Sequence, residues 1–109
     1  MNLTFIDPGQ LTARLDLERA VEVPDGQGGV TLSHAVESSL WARIEPVTAA
    51  SEELGHVNRQ VATHRIWIRH TDLAKAGMRF RKGGRVFDIL TAHDPDERGR
   101  YLVCQARER

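Results

Sequence analysis

Alternating apolar and polar residues predict that the chain is built from short β-strands. From residue 11 to 17 every second residue is apolar, and Val21 and Val23 continue that parity. The apolar members of the opening stretch are Leu11, Ala13, Leu15 and Leu17. Such alternation is typical of a half-buried strand. The sequence PDGQGG at residues 24–29 then predicts a turn that ends it.

Further strands follow at intervals along the rest of the chain. They are SSLWARIEPV (38–47), THRIWIRH (63–70), a short segment near residues 78–81, RVFDILTAH (85–93) and YLVCQAR (101–107). KGGR and DPDERGR are rich in turn-forming residues and predict hairpin connections. TDLAKAG (71–77) could form one helical turn, capped by Thr71 and ended by Gly77.

Short strands joined mainly by turns usually fold as a small barrel or sandwich, which limits exposed strand edges. We expect residues 1–109 to form one all-β domain, a small barrel of about five to seven mostly antiparallel strands.

Residues 48–62, TAASEELGHVNRQVA, interrupt the strand pattern. Ser51 could cap a short helix with Glu52 and Glu53 in its first turn, but Gly55 weakens that helix. Loops longer than ~12–15 residues in compact domains are usually functional or disordered. We therefore expect a long mobile loop, with a short helix as the alternative.

The strand RIWIRH (65–70) has two distinct faces. If residues 48–62 join two antiparallel strands, Ile44 lies opposite Ile66 and Ala42 lies opposite Ile68. The reverse face then pairs Glu45 with Arg65, Arg43 with Trp67, and Trp41 with Arg69. Such pairs could simply cover a solvated face, the arginine stems lying over the indoles. Tryptophan and arginine are also enriched at binding hot spots, so an interface is the second interpretation.

Composition narrows the class of protein. The 109 residues carry 15 basic and 15 acidic side chains, so the formal net charge is zero. Dedicated nucleic-acid binders usually carry a basic excess, which argues against autonomous DNA binding. Cys104 is the single cysteine, which excludes an intrachain disulfide and suits a reducing compartment. Without a signal-peptide pattern or a membrane-spanning stretch, we expect a soluble intracellular protein with no membrane partner.

Few residues suggest chemistry. HDPDE (93–97) gathers an imidazole and three carboxylates, but Asp-Pro-Asp is ordinary turn sequence and no second ligand pair has metal spacing. GQGG and KGGR lack the context of a phosphate loop. Cys104 alternates with Leu102 and Ala106, as a buried apolar cysteine would. No catalytic set is evident, and we expect no enzyme activity, metal or cofactor.

A local basic run surrounds the KGGR turn. It comprises Arg79, Arg81, Lys82 and Arg85. These residues form either a solvated turn or a contact for DNA phosphates or an acidic partner surface.

The order of the segments resembles the phage head–tail joining (head–tail connector, or stopper) family. The matching pieces are LTARLDLE, DGQGG, LWARIEPV, ASEE, HRIWIRH, GRVFDI and YLVCQARE, which together cover nearly the whole chain from Leu11 onward. Each motif is weak alone, and their order carries the signal. A second aromatic residue often seen after the first turn is absent, with His34 near that place.

The resemblance implies a β-barrel that assembles as a homo-oligomeric ring below the portal of a filled capsid. Such a ring extends the DNA channel, helps to retain packaged DNA and docks the tail, without catalysis or a cofactor. Its partners would be other copies of itself, the portal or adaptor ring, tail proteins and the DNA in the channel. The location would be the neck of a virion or phage-like particle assembled in the bacterial cytoplasm.

In this setting the reverse face of RIWIRH contacts a neighbouring subunit. The interface residues would be Trp41, Arg43, Glu45, Arg65, Trp67 and Arg69. The loop would order on assembly or line the channel through Ser51, Glu52, Glu53, Leu54, His56, Asn58 and Arg59. Alternatives are another neck or tail ring such as a tail terminator, a small nucleic-acid-binding barrel that uses the basic run, and lastly a small barrel enzyme.

Overall fold

Six antiparallel strands form a closed barrel in the computed structural model, which describes residues 8–47 and 61–109. The strands are β1 (Ala13–Pro24), β2 (Val30–Pro46), β3 (His64–Arg69), β4 (Arg79–Lys82), β5 (Arg85–His93) and β6 (Tyr101–Glu108). A 3-10 turn at Pro8–Gln10 precedes them. The spatial order is β1-β2-β3-β6-β5-β4, and β4 returns to β1. The expected all-β barrel and its number of strands are confirmed.

The barrel interior is filled by side chains from all six strands. The largest fully buried ones are Phe80, Phe87, Leu15, Leu17, Ile66, Ile68 and Cys104. The predicted register between β2 and β3 is confirmed, because Ala42 lies opposite Ile68 and Ile44 lies opposite Ile66. A one-residue slip would turn these isoleucines outward, so burial of their side chains fixes the register.

The barrel closes along a short seam between β1 and β4. Only three residue pairs join these strands, and the central one places Leu17 opposite Phe80, both fully buried. A β-bulge between Leu17 and Glu18 shifts the register of β1 against β2 at the same place. Beyond Glu18, β2 is the one described strand that pairs with β1, so the barrel ends there on this side.

Past the seam, β1 and β2 continue as a two-stranded ribbon, residues 19–36, which we call the arm. From Glu18 to Pro24 the ribbon extends by about 20 Å at the usual rise of a strand. Its turn is held by Asp25, whose carboxylate accepts hydrogen bonds from the Gln27 and Gly29 amides at 2.7 and 3.1 Å. Gly26 and Gly28 adopt positive φ angles of 82° and 86°, which favour glycine at these turn positions.

Several local predictions need correction. Residues 30–37 were not predicted as strand, yet they belong to the 17-residue β2. Val23 continues the alternation of β1 but is 40% exposed, because no other described strand covers the arm. Leu11 lies outside β1 and does not enter the barrel core. Residues 71–77 form turns and no helix, with the Leu73 amide donating to the Thr71 hydroxyl at 3.1 Å.

Both predicted hairpin connections are present. KGGR joins β4 to β5, with Gly83 at a φ of 59°. In DPDERGR, the Asp94 carboxylate accepts hydrogen bonds from the Asp96 and Gly99 amides at 3.3 and 2.7 Å. These bonds support the interpretation of that segment as a turn. Within the described ranges, no helix is long and apolar enough to cross a bilayer.

Candidate interaction surface

The indole of Trp67 is packed inside the chain itself. Trp67 is only 5% exposed and forms a second small core on the outer side of β3 with Leu11, Val103 and the partly buried Tyr101. Its Nε1 donates a hydrogen bond to Glu45 at 3.2 Å. Trp67 was expected to offer its ring to a neighbouring subunit, but Leu11 and its own strand neighbours already cover most of that ring.

Polar contacts fix the segment that covers Trp67. Arg43 donates from Nη1 to the side-chain oxygen of Gln10 at 3.1 Å, which ties the Pro8–Gln10 turn to β2. Arg65 pairs with the Glu45 carboxylate at 3.1 Å, as the register predicted. Arg43, Glu45 and Arg65 therefore make contacts within the chain, although each keeps part of its side chain in solvent.

Trp41 is the exposed aromatic residue of this face. It is 51% exposed and lies in an open hollow of about 370 Å³. The hollow is lined by Pro8, Leu11, Thr12, Trp41 and Arg69. Trp41 and Arg69, predicted neighbours, both line it. The cation stacked on the Trp41 ring, however, is Arg14 of β1 at 5.1 Å, which the sequence prediction missed.

The arm presents the other apolar surface. Its exposed apolar side chains include Val30, Leu32 and Val36, with exposed fractions of 55, 64 and 57%, and, on the opposite face, Val23 at 40%. Every second residue of a strand points to the same face, so Val30, Leu32 and Val36 lie together on one face of the ribbon. This surface was not predicted, although the alternation in VTLSHAV was a signal for it. A group of apolar side chains on a projecting element is typical of a contact surface.

Most of the basic run is neutralised within the chain. Arg79 and Arg81 both pair with Glu18, at 2.6 and 3.2 Å. Arg85 forms two hydrogen bonds to the Glu108 carboxylate, at 2.8 and 3.1 Å. Lys82 is exposed and makes no ion pair within residues 8–47 and 61–109. Three of the four positive charges therefore have carboxylate partners, which weakens their electrostatic attraction to DNA phosphates.

Glu18 is the buried member of this ion cluster, with a side chain only 8% exposed. Burial by itself would raise its pKa. The hydrogen bond and charge of Arg79, together with those of Arg81, outweigh that effect and hold the pKa of Glu18 below its ordinary value. Because β1 contributes Glu18 and β4 contributes both arginines, this cluster fastens the barrel seam from outside.

The residues considered for chemistry occupy structural positions. Cys104 is fully buried, and burial raises the pKa of its thiol to about 12, which keeps it protonated and unreactive. Within the described part of the chain, no three His, Cys, Asp or Glu side chains come together as metal ligands. The predicted loop residues, from Ser51 to Arg59, lie outside the described residues.

Comparison with known proteins places the chain in a family. Residues 6–109 match the model of the phage head completion protein. A chain from the virion of a native gene transfer agent particle is 29% identical, with coverage of 91% of this chain and 96% of that one and a TM-score of 0.67. A Shigella flexneri 2a protein, determined in solution, shares the fold at 22% identity, with coverage of 93 and 96% and a TM-score of 0.68. None of the curated proteins matches.

The chain belongs to the phage head completion protein family, since that match covers nearly its whole length. The resemblance drawn from the seven ordered motifs is thereby confirmed. The chain is a structural component of the head or neck of a phage or phage-like particle.

The two tryptophans should differ sharply when truncated. Trp67→Ala removes a buried ring and should lower the free energy of unfolding by about 3–5 kcal/mol. Trp41→Ala, the control, removes a half-exposed ring and should cost less than about 1 kcal/mol. Urea unfolding of the isolated chain measures both. Equal losses would show that Trp67 does not belong to the core.

Glu18 should contribute stability that depends on pH. Glu18→Gln leaves Arg79 and Arg81 without a carboxylate and should cost about 2–4 kcal/mol at neutral pH. Because the folded-state pKa is lowered, the contribution is fully present above the unfolded-state pKa and is lost as pH falls through the folded-state value. The free energies of unfolding of the wild type and the variant should therefore become more similar at acidic pH.

The matched control is Glu37→Gln. Its ion pair with Arg19, at 2.8 Å, lies at the base of the arm with both side chains partly in solvent, and should contribute less than about 1 kcal/mol. Denaturant unfolding at neutral and acidic pH gives both comparisons. If Glu18→Gln lowered the free energy of unfolding by the same amount at both pH values, this role of the carboxylate would be contradicted.

Proposed function

We propose that the chain forms a homo-oligomeric ring between the portal, or an adaptor ring on it, and the tail. In this position the ring extends the DNA channel, helps to retain packaged DNA and offers a docking surface to tail proteins. The observation that carries the proposal is the match of residues 6–109 to the head completion family. The likeness of 29% to a chain of a gene transfer agent virion supports it.

The surface of the barrel suits assembly by protein contacts. A ring needs two different patches on each subunit that fit each other and close by rotation. The described part of the chain offers two separate apolar surfaces for this, the arm and the hollow around Trp41. Of the predicted interface residues, Trp41 and Arg69 line the hollow directly. Trp67 packs against Leu11, which lines the hollow, and Arg43 binds Gln10 beside it. Glu45 binds both Trp67 and Arg65.

The balance of charge suits a conduit for DNA. Free Lys and Arg side chains attract phosphates strongly and in a salt-dependent way. Here the formal net charge is zero, and Arg79, Arg81 and Arg85 are paired with carboxylates. A ring built from such subunits would let DNA pass with little adhesion. The same pairing gives no support to a nucleic-acid-binding barrel as the primary function.

The role of residues 48–62 is inferred from the family resemblance. We propose that this segment orders on assembly and contacts the channel or an adjacent ring. Residues 51–59 include the charged side chains of Glu52, Glu53 and Arg59, which could make polar contacts to a neighbouring protein.

Deletion of the gene should separate heads from tails. Electron microscopy of the resulting particles should show DNA-filled or leaking heads beside finished, unattached tails, because the joining ring is missing. Restoring the gene on a plasmid should restore tailed particles and serves as the control. Normal tailed particles without the gene would rule out a role at the joint.

A further inference from the structure

The arm carries an apolar face that nothing in the described chain covers. Val30, Leu32 and Val36 lie along this face at exposed fractions of 55, 64 and 57%. Glu22 stands directly opposite Leu32 and so shares the face. A two-stranded ribbon is only marginally stable alone in water, and packing against another element stabilises it. The arm therefore has a physical reason to bind a partner.

The hollow has the complementary properties. Its exposed aromatic surface is Trp41, and Arg69 lies at its edge. Arg14, stacked on Trp41, adds a second positive charge. Within residues 8–47 and 61–109, neither arginine makes an ion pair, and Glu22 makes none either. If an arm packed into a hollow, its apolar side chains would contact Trp41. The carboxylate of Glu22 would then lie near the guanidinium groups of Arg14 and Arg69.

The two surfaces cannot meet within one chain. Leu32 and Trp41 lie on the same strand, β2, and are about 30 Å apart along it at the usual rise of an extended strand. The partner that fits is a second copy of the chain. Because the arm and the hollow are different patches, each copy that donates its arm leaves its own hollow open for the next. Such contacts form a ring when the rotation between neighbouring copies closes.

We propose that the arm of each subunit packs into the Trp41 hollow of its neighbour, with Leu32 against Trp41 and Glu22 beside Arg69. This contact rests on the proposed ring and specifies how its subunits join.

Cysteine pairing in assembled particles tests the contact. The variant Thr12→Cys with Leu32→Cys places one thiol at the hollow and one on the arm, both at exposed positions. Cys104 can stay, because it is fully buried. Disulfides form only where Cα atoms come within about 7 Å. Oxidation should give a ladder of products at multiples of the chain mass.

Two controls accompany the pair. Each single cysteine variant should give no ladder, since a head-to-tail contact needs both thiols. Thr12→Cys with Thr31→Cys moves the arm thiol to the opposite face of the ribbon and should cross-link at least about tenfold less, because β-strand side chains alternate.

The outcomes separate this contact from the proposed ring itself. Products that combine the chain with a different particle protein would overturn the contact, as would dimers formed by single variants. So would the absence of a ladder in particles that contain the protein and carry tails. In these three cases the place at the joint would stand. Absence of the chain from the joint would overturn the ring as well.

Charge exchange gives a second measurement if the cysteine pair does not enter particles. Glu22→Arg and Arg69→Glu should each lower the yield of tailed particles at least about tenfold, and the double variant should restore it. Equal losses in the single and double variants would overturn the pairing of Glu22 with Arg69. Thermal unfolding of the isolated variants shows whether each remains folded.

Discussion

The seam between β1 and β4 is the contact on which the rest of the structure depends. It consists of three residue pairs, with Leu17 and Phe80 in the barrel interior and the Glu18–Arg79–Arg81 cluster outside. Closing the sheet here removes exposed strand edges from the barrel and completes the core. The bulge after Leu17 ends the barrel at the same point, so the arm begins where closure stops.

The barrel was predictable because its physical signals are local and periodic. Alternation and turn residues located at least part of each of the six strands. The isoleucines of β3 fixed the register with β2, including the pairing of Glu45 with Arg65. The same alternation misplaced Leu11. A leucine beyond the end of a strand can follow the parity and still turn to the outer side, where Leu11 covers Trp67. Periodicity alone does not reveal such a contact between distant segments.

The candidate surfaces were only partly predictable. Trp41 and Arg69 were identified, yet the stacking of Arg14 on Trp41 depends on the register between β1 and β2, and the bulge after Leu17 hides that register from the alternation pattern. The arm was missed because the strand prediction stopped at the first turn and resumed at residue 38. Its alternating valines and leucine indicate strand. Their exposure depends on whether another element covers them, which none of the described elements does, and periodicity cannot show this.

The described part of the chain pairs the arginines around the KGGR turn with carboxylates and leaves apolar surface exposed for partners. The arginines of the β4–β5 hairpin bind carboxylates, whereas Trp41 and the arm remain exposed. This distribution favours assembly through protein contacts over binding of free DNA, in keeping with a head completion protein.

An electron cryo-microscopy reconstruction of the neck in intact particles would test both the ring and its subunit contact. We expect a ring of this chain between portal and tail, surrounding the DNA path, with each arm crossing the Trp41 hollow of the next subunit. A reconstruction that places the chain elsewhere in the particle, or as isolated subunits without mutual contact, would contradict this arrangement.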